Sequence, residues 1–177
     1  LTMKILLVSG PGISLKEPYN SGIESFMVSF AKQLAAEGHE VDIIAAEADE
    51  NSSFKIKNPF KSQHTAKQKF VESQIEKFQF KNFPVASYDV IHYHMFYPHL
   101  LKAGLHFNKN IFVTLHSPPN SARISVYREL LKRRNFTFVA ISKRIKNLWD
   151  FALQTDIPLI NNGIDLDLWP VEKAVEK

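Results

Sequence analysis

Cysteine is absent from the 177 residues. This excludes disulfides and thiolate chemistry and fits a reducing compartment. No apolar run approaches the roughly 20 residues that a bilayer-spanning helix needs. The longest are residues 5–8 and 41–46, and Asp42 interrupts the second. Only that first short apolar run comes after Met3 and Lys4, too little for the core of a signal peptide, so a cytoplasmic location is expected. Leu1 and Thr2 read as residues ahead of a natural start at Met3. Internal repeats and low-complexity segments are lacking as well. The remaining composition, 45% apolar and 23% charged, suits one globular domain with a sizeable core.

Acidic charge is sparse in one stretch. Between Phe54 and Phe83, Lys55, Lys57, Lys61, Lys67, Lys69, Lys77 and Lys81 face only Glu72 and Glu76, while the whole chain nets +4. A local basic patch of this kind points to an anionic partner. Phe54, Phe60, Phe70, Phe78, Phe80 and Phe83 are interleaved with the lysines. Residues 54–83 therefore suit an anionic membrane surface, which would place the protein on the inner face of the membrane. The competing reading is a solvated helix with its phenylalanines in the core. Nucleic acid is not an expected partner, because arginine is scarce here and no recognised binding motif occurs.

Residues 3–9 read as a strand buried on both faces, ended by the loop signal Ser9-Gly10-Pro11-Gly12. The next element is a helix, with Ile23, Phe26, Met27, Phe30, Ala31 and Leu34 on one face. Ser21-Gly-Ile-Glu24 is a capping box at its start, and Gly38 supplies a left-handed stop. Residues 39–45 form a second strand. Strand, helix and strand in this order make a βαβ unit and a parallel sheet. Residues 47–59 read as a polar loop, and a helix is expected from about 65 to 80, with Val71, Ile75 and Phe78 on one side. Further strands are expected at 89–93, 110–115, 136–141 and 157–160. A helix over 98–107 turns Leu101 and Leu105 inward. Another carries Ile124, Tyr127, Leu130 and Leu131, and a last one, capped by Ser142, carries Ile145, Leu148 and Trp149. This alternation predicts an α/β fold with a doubly wound parallel sheet.

Ligands of such sheets bind beyond the carboxyl ends of the strands. The residues there are Gly10 and Gly12, His94, His116 and Ser117, Ser142, and the loop with Asn162, Gly163 and Asp165. The loop from Gly10 to Gly22 opens onto a helix N-terminus, where free amides favour an anion such as phosphate. It lacks the third glycine of the dinucleotide fingerprint and the lysine of a Walker A loop. His116 comes after a buried strand and precedes Pro118-Pro119; a neutral imidazole there can bond a substrate hydroxyl or steady developing charge. His92 and His94 are read as pointing to opposite faces of their strand, His94 as a substrate contact and His92 as packed. With His99 they invite a metal reading, but no carboxylate or cysteine stands at ligand spacing, so no metal is expected. No nucleophile stands out, since Ser9, Ser117 and Ser142 lack a G-x-S-x-G elbow. Asp165 and Asp167 suit a turn as well as a substrate contact.

Several of these segments, in this order, resemble one family. Met3-Lys-Ile-Leu-Leu-Val8, Gly22-Ile-Glu24, Leu34-Ala-Ala-Glu-Gly-His-Glu-Val41, Asp89-Val-Ile-His-Tyr-His94, Val113-Thr-Leu-His116, Val139-Ala-Ile-Ser142 and Asn161-Asn-Gly-Ile-Asp165 are similar to the N-terminal domain of glycosyltransferase family 4. These are retaining enzymes of the GT-B fold, with two Rossmann-like domains facing a cleft. The resemblance implies that residues 1–170 form the acceptor-side Rossmann-like domain and that 171–177 begin a linker to a C-terminal donor-binding domain. It implies transfer of a hexosyl-type sugar from a nucleotide-sugar donor to a glycan, lipid or small-molecule acceptor, with no metal or other cofactor. Attack would come from the face the diphosphate leaves, and the diphosphate would help deprotonate the acceptor.

His116 is then the catalytic contact to the donor sugar. Gly10, Gly12, Ser21, Gly22, His94, Ser117, Ser142, Asn162, Gly163 and Asp165 would bind substrate. The family usually has Gly-Gly where this chain has Ser21-Gly22. The diphosphate-binding basic residues and the paired glutamates belong to the second domain, so this chain by itself is expected to be inactive. A non-catalytic sugar- or phosphate-binding module and a GT-B sugar-nucleotide epimerase domain remain as alternatives.

Overall fold

A computed structural model describes residues 1–50, 52–60 and 69–164. Asp165, the expected linker at 171–177 and the start of the helix expected from about 65 lie outside the described residues. Six strands form one parallel sheet: β1 (Lys4–Val8), β3 (Glu40–Ile44), β5 (Lys55–Lys57), β6 (Val90–Tyr93), β7 (Asn110–Leu115) and β8 (Phe136–Ala140). Their spatial order is β5-β3-β1-β6-β7-β8. Two residue pairs, β2 (Ser14–Leu15) and β4 (Glu47–Ala48), make a second small parallel ladder. The described helices are α1 (Gly22–Ala36), α2 (Lys69–Lys81), α3 (Pro98–Ala103), α4 (Ser121–Leu130) and α5 (Lys143–Leu153). The α/β, doubly wound, Rossmann-like architecture is the one the alternation of elements predicts.

Strand β1 shows why the centre of the sheet is covered on both faces. Ile5 and Leu7 pack with Met27, Val28 and Ala31 of α1. Leu6 and Val8 join the opposite core with Leu100 and Leu101 of α3, Tyr127 and Leu130 of α4, and Trp149 of α5. Alternate side chains of a strand face opposite ways, so one five-residue run serves both layers. The sheet grows from β1 towards β3 and β5 on one side and towards β6, β7 and β8 on the other. The order reverses between β1 and β6, and a crevice opens there beyond the carboxyl ends of the strands.

Local signals act largely as expected. Gly38 takes φ 87° after α1, and the Glu24 carboxylate folds back to accept from the Asn20 and Ser21 amides at 2.6 and 3.1 Å. Asn120 Oδ1 caps α4 through the Arg123 amide at 2.9 Å, and Ser142 caps α5 through the Ile145 amide at 3.3 Å. Elsewhere the boundaries move. The stretch 47–59, read as loop, contains β4 and β5. The helix at 98–107 ends as α3 and closes with a tighter turn at Gly104–His106. Residues 157–160 pair with the sheet only through the bridge from Ala140 to Leu159.

The apolar side of α2 also faces unexpectedly. Val71, Ile75 and Phe78 are 60%, 45% and 70% exposed, while Glu72, Glu76 and Phe80 are buried. The Glu76 carboxylate is matched by His99 of α3 at 2.7 Å. Helical periodicity identifies a face but not the neighbour that will meet it. Here α2 packs against α3 with an acidic face that finds its partner inside.

The loop after β1 is held by one close approach. A Cβ on Gly10 would stand 2.1 Å from the Tyr97 ring. Gly10→Ala should therefore cost about 1–3 kcal/mol, the usual range for overpacking. In thermal denaturation this lowers Tm by roughly 2–4 °C per kcal/mol. Adding Tyr97→Leu should recover part of the loss; strictly additive effects would show that the ring is not the obstacle.

Candidate functional site

The cleft lies at the carboxyl end of β7. Its floor is Thr114, Leu115, His116 and Ser117. Its walls are Ile23 of α1, Met95 and Phe96 after β6, Arg123 and Tyr127 of α4, and Trp149 of α5. The empty space is about 350 Å3. The His116 loop is held from behind, because the Trp149 indole N–H donates to the Ser117 carbonyl at 2.8 Å. Pro118 and Pro119 stiffen the chain between this loop and α4.

His116 does not stand alone. Its Nε2 lies 3.2 Å from His94 Nδ1, and its ring meets Phe26 of α1 edge-on at 5.3 Å. His94 is only 4% exposed and is covered by Phe26 and Phe30. His92 lies beside it at 4.1 Å between ring centroids and shares a hydrogen bond with Thr114 Oγ1 at 2.7 Å. The expectation that His92 and His94 point to opposite faces is therefore corrected. Residues two apart on a strand share a face, and both rings turn towards α1.

Burial dominates the electrostatics of this cluster. It holds His116 down to about 4 and His92 to about 3, and His94 well below its ordinary 6.5. Neighbouring rings add to the effect for His92 and His94. All three are neutral at physiological pH. One proton must then sit between His94 and His116. His94 Nε2 is buried with no partner. A proton on that nitrogen would leave a buried donor unmatched, whereas a bare lone pair is tolerated more readily. The favoured arrangement puts the His94 proton on Nδ1, donated to His116 Nε2. His116 then carries its own proton on Nδ1, as a donor in the cleft.

The other expected residues divide into groups. Ser117 lines the cleft with His116. Gly10 is buried, crowded by Tyr97, while Gly12 is exposed. Ser21 and Gly22 are exposed at the start of α1, where the Glu24 carboxylate already takes the Ser21 amide. The Ser142 hydroxyl is committed to its helix. Asn162 and Gly163 do not join the His116 cleft. They border an apolar groove of about 1370 Å3 of empty space, between Phe26 and Phe30 of α1 and the open face of β6, β7 and β8. Sequence reasoning did not single out Thr114, Arg123 or Tyr127 as site residues. Arg123 sits three residues after the cap Asn120, in the first turn of the helix beyond the His116 loop, and that position was its only signal.

Two outcomes test the cluster. The unfolded chain binds the three protons near pH 6.5, and the folded chain binds them only at lower pH. Stability should therefore fall as pH drops from about 6.5 towards 4, because the unfolded state takes up protons that the folded state excludes. Urea midpoints measured across that window read this directly, and a flat profile would contradict buried neutral rings. Second, His94→Asn keeps an N–H near the Nδ1 position, whereas His94→Leu removes it. Nitrogen-15 NMR of the His116 ring should show Nδ1–H in the parent and in His94→Asn, and a shift towards Nε2–H in His94→Leu.

Residues 20–168 match the family described as Glycosyltransferase Family 4. Among curated proteins none matches the chain. Among solved structures, Anabaena Alr3699/HepE in complex with UDP and glucose is similar at a TM-score of 0.60 and 16% sequence identity. The match covers 94% of this chain and 46% of the HepE chain, so this chain spans less than half the length of that protein. At this identity the likeness concerns the fold, and it agrees with the parallel α/β sheet. The family match extends over most of the sequence, and this chain belongs to glycosyltransferase family 4.

Proposed function

We propose that this chain is the acceptor-side half of a retaining glycosyltransferase. It moves a hexosyl-type sugar from a nucleotide-sugar donor to a glycan, lipid or small-molecule acceptor, in the cytoplasm. The observation that carries the reading is the neutral, hydrogen-bonded His116 in a cleft at the carboxyl end of β7. A neutral imidazole with a fixed N–H can bond a sugar hydroxyl and respond to charge as it develops, without the cost of burying a cation. The HepE structure holds UDP and glucose, which supports a donor of the same chemical class here. A C-terminal domain would supply the diphosphate-binding groups, so the present chain alone is inactive on this reading.

His116→Ala, made in the protein that carries both halves, should lower turnover at least about tenfold, within the range for a positioned catalytic group. Unchanged turnover would remove His116 from the reaction. Binding of sugar or phosphate without any transfer would favour the module, and conversion of the donor sugar without an acceptor would favour the epimerase.

A second reading concerns where the enzyme works. No described helix is long and apolar enough to cross a membrane. Yet Val71, Ile75 and Phe78 form an exposed apolar stripe on α2, in the stretch that carries the lysines. Apolar residues flanked by cations suit the surface of an anionic bilayer. Vesicles containing phosphatidylserine should co-float with the chain at low salt and release it at high salt. Phe78→Ser with Ile75→Ser should abolish flotation. No flotation at low salt would leave α2 as a solvated helix.

A further inference from the structure

The cleft contains one cation with no counter-charge. Arg123 pairs with no carboxylate among the described residues, and no Asp or Glu lines the cleft. The Arg123 guanidinium is nevertheless held. Its Nη1 donates to the Pro118 carbonyl at 3.2 Å, and its central carbon lies over the Phe96 ring, 5.3 Å from the centroid. Its Nε is buried and has no partner. The fork thus has fixed orientation, and most of its five donors are unassigned. The donors open to a ligand in the cleft are therefore those of the terminal nitrogens, of which only Nη1 has a partner.

The histidines beside it are neutral, so Arg123 sets the charge of the cleft. A planar, preorganised guanidinium binds phosphate through paired hydrogen bonds. His116 and Thr114 line the same space, and the His116 Nδ1–H can serve a third oxygen.

We propose that the cleft over the end of β7 binds a phosphate group of its substrate on Arg123. This rests on the cleft being the substrate site of the transferase. The phosphate belongs either to the donor diphosphate or to a phosphorylated acceptor; both present the same oxyanion to the guanidinium.

The Arg123 Nε–H signal in nitrogen-15 NMR of the full chain tests this. Inorganic phosphate should shift the signal saturably, and acetate should shift it much less. Arg123→Gln should weaken phosphate binding at least about tenfold, and Arg123→Lys should retain part of it, since one charge-assisted pair of bonds is replaced by a point charge. Arg128→Gln, on the same helix, should leave it unchanged. Thermal denaturation of each variant separates loss of binding from loss of fold. A response to UDP assigns the group to the donor; a response to glucose 1-phosphate without one to UDP assigns it to the acceptor. No shift with any phosphate, equal binding of acetate, or equal binding by a folded Arg123→Gln would overturn the proposal. If the protein that carries both halves transfers no sugar while phosphate still shifts Arg123, the transferase reading fails and the phosphate site stands.

Discussion

Strand β1 gives Ile5 and Leu7 to one core and Leu6 and Val8 to the other, and the layout of the domain depends on that double burial. A strand covered on both faces is poorly placed at an edge. The sheet therefore extends from it in both directions, with β3 on one side and β6 on the other. Right-handed crossovers then put α1 on one face and α3, α4 and α5 on the other. The reversal of strand order at β1 opens a crevice at the carboxyl ends of β1, β6 and β7. The glycine loop, His94 and His116 all come to that rim because the sheet is parallel.

The same packing sets the chemistry of the rim. Phe26 and Phe30 of α1 lie over His92 in β6 and over His94 and His116 just past β6 and β7, and the loss of water makes their charged forms unfavourable. A solvated imidazole would be partly protonated below neutral pH. These rings stay neutral and form a chain of contacts from Thr114 and His92 to His94 and His116. Arg123, by contrast, rests its rigid guanidinium fork on one carbonyl and one aromatic face. The cleft therefore combines a neutral donor with a fixed cation, an arrangement suited to a ligand carrying both hydroxyls and an oxyanion.

Much of this was legible in the residues. Apolar runs marked the central strands, Ser21, Ser142 and Gly38 marked helix ends, and residues just past strand ends marked the rim. Three features were not. The helix α2 has an apolar stripe, but its orientation depends on what α3 offers, above all His99 to Glu76. Reading His92 and His94 as divergent concealed the histidine cluster, although side chains two apart on a strand must share a face. Arg123 had no motif around it, and its importance comes from the lack of an acid in the cleft, which is a property of three-dimensional surroundings.

The order of strands and helices, the parallel sheet and the position of His116 at a strand end were already written in the chain. They rest on periodicity, capping and turn chemistry, all of which act between near neighbours. Which groups meet, which histidine nitrogen keeps a proton and which cation stands in the cleft were settled by folding alone. Those outcomes depend on desolvation and on contacts between residues far apart in sequence, such as His94 with His116 and Phe96 with Arg123, and no local pattern records them.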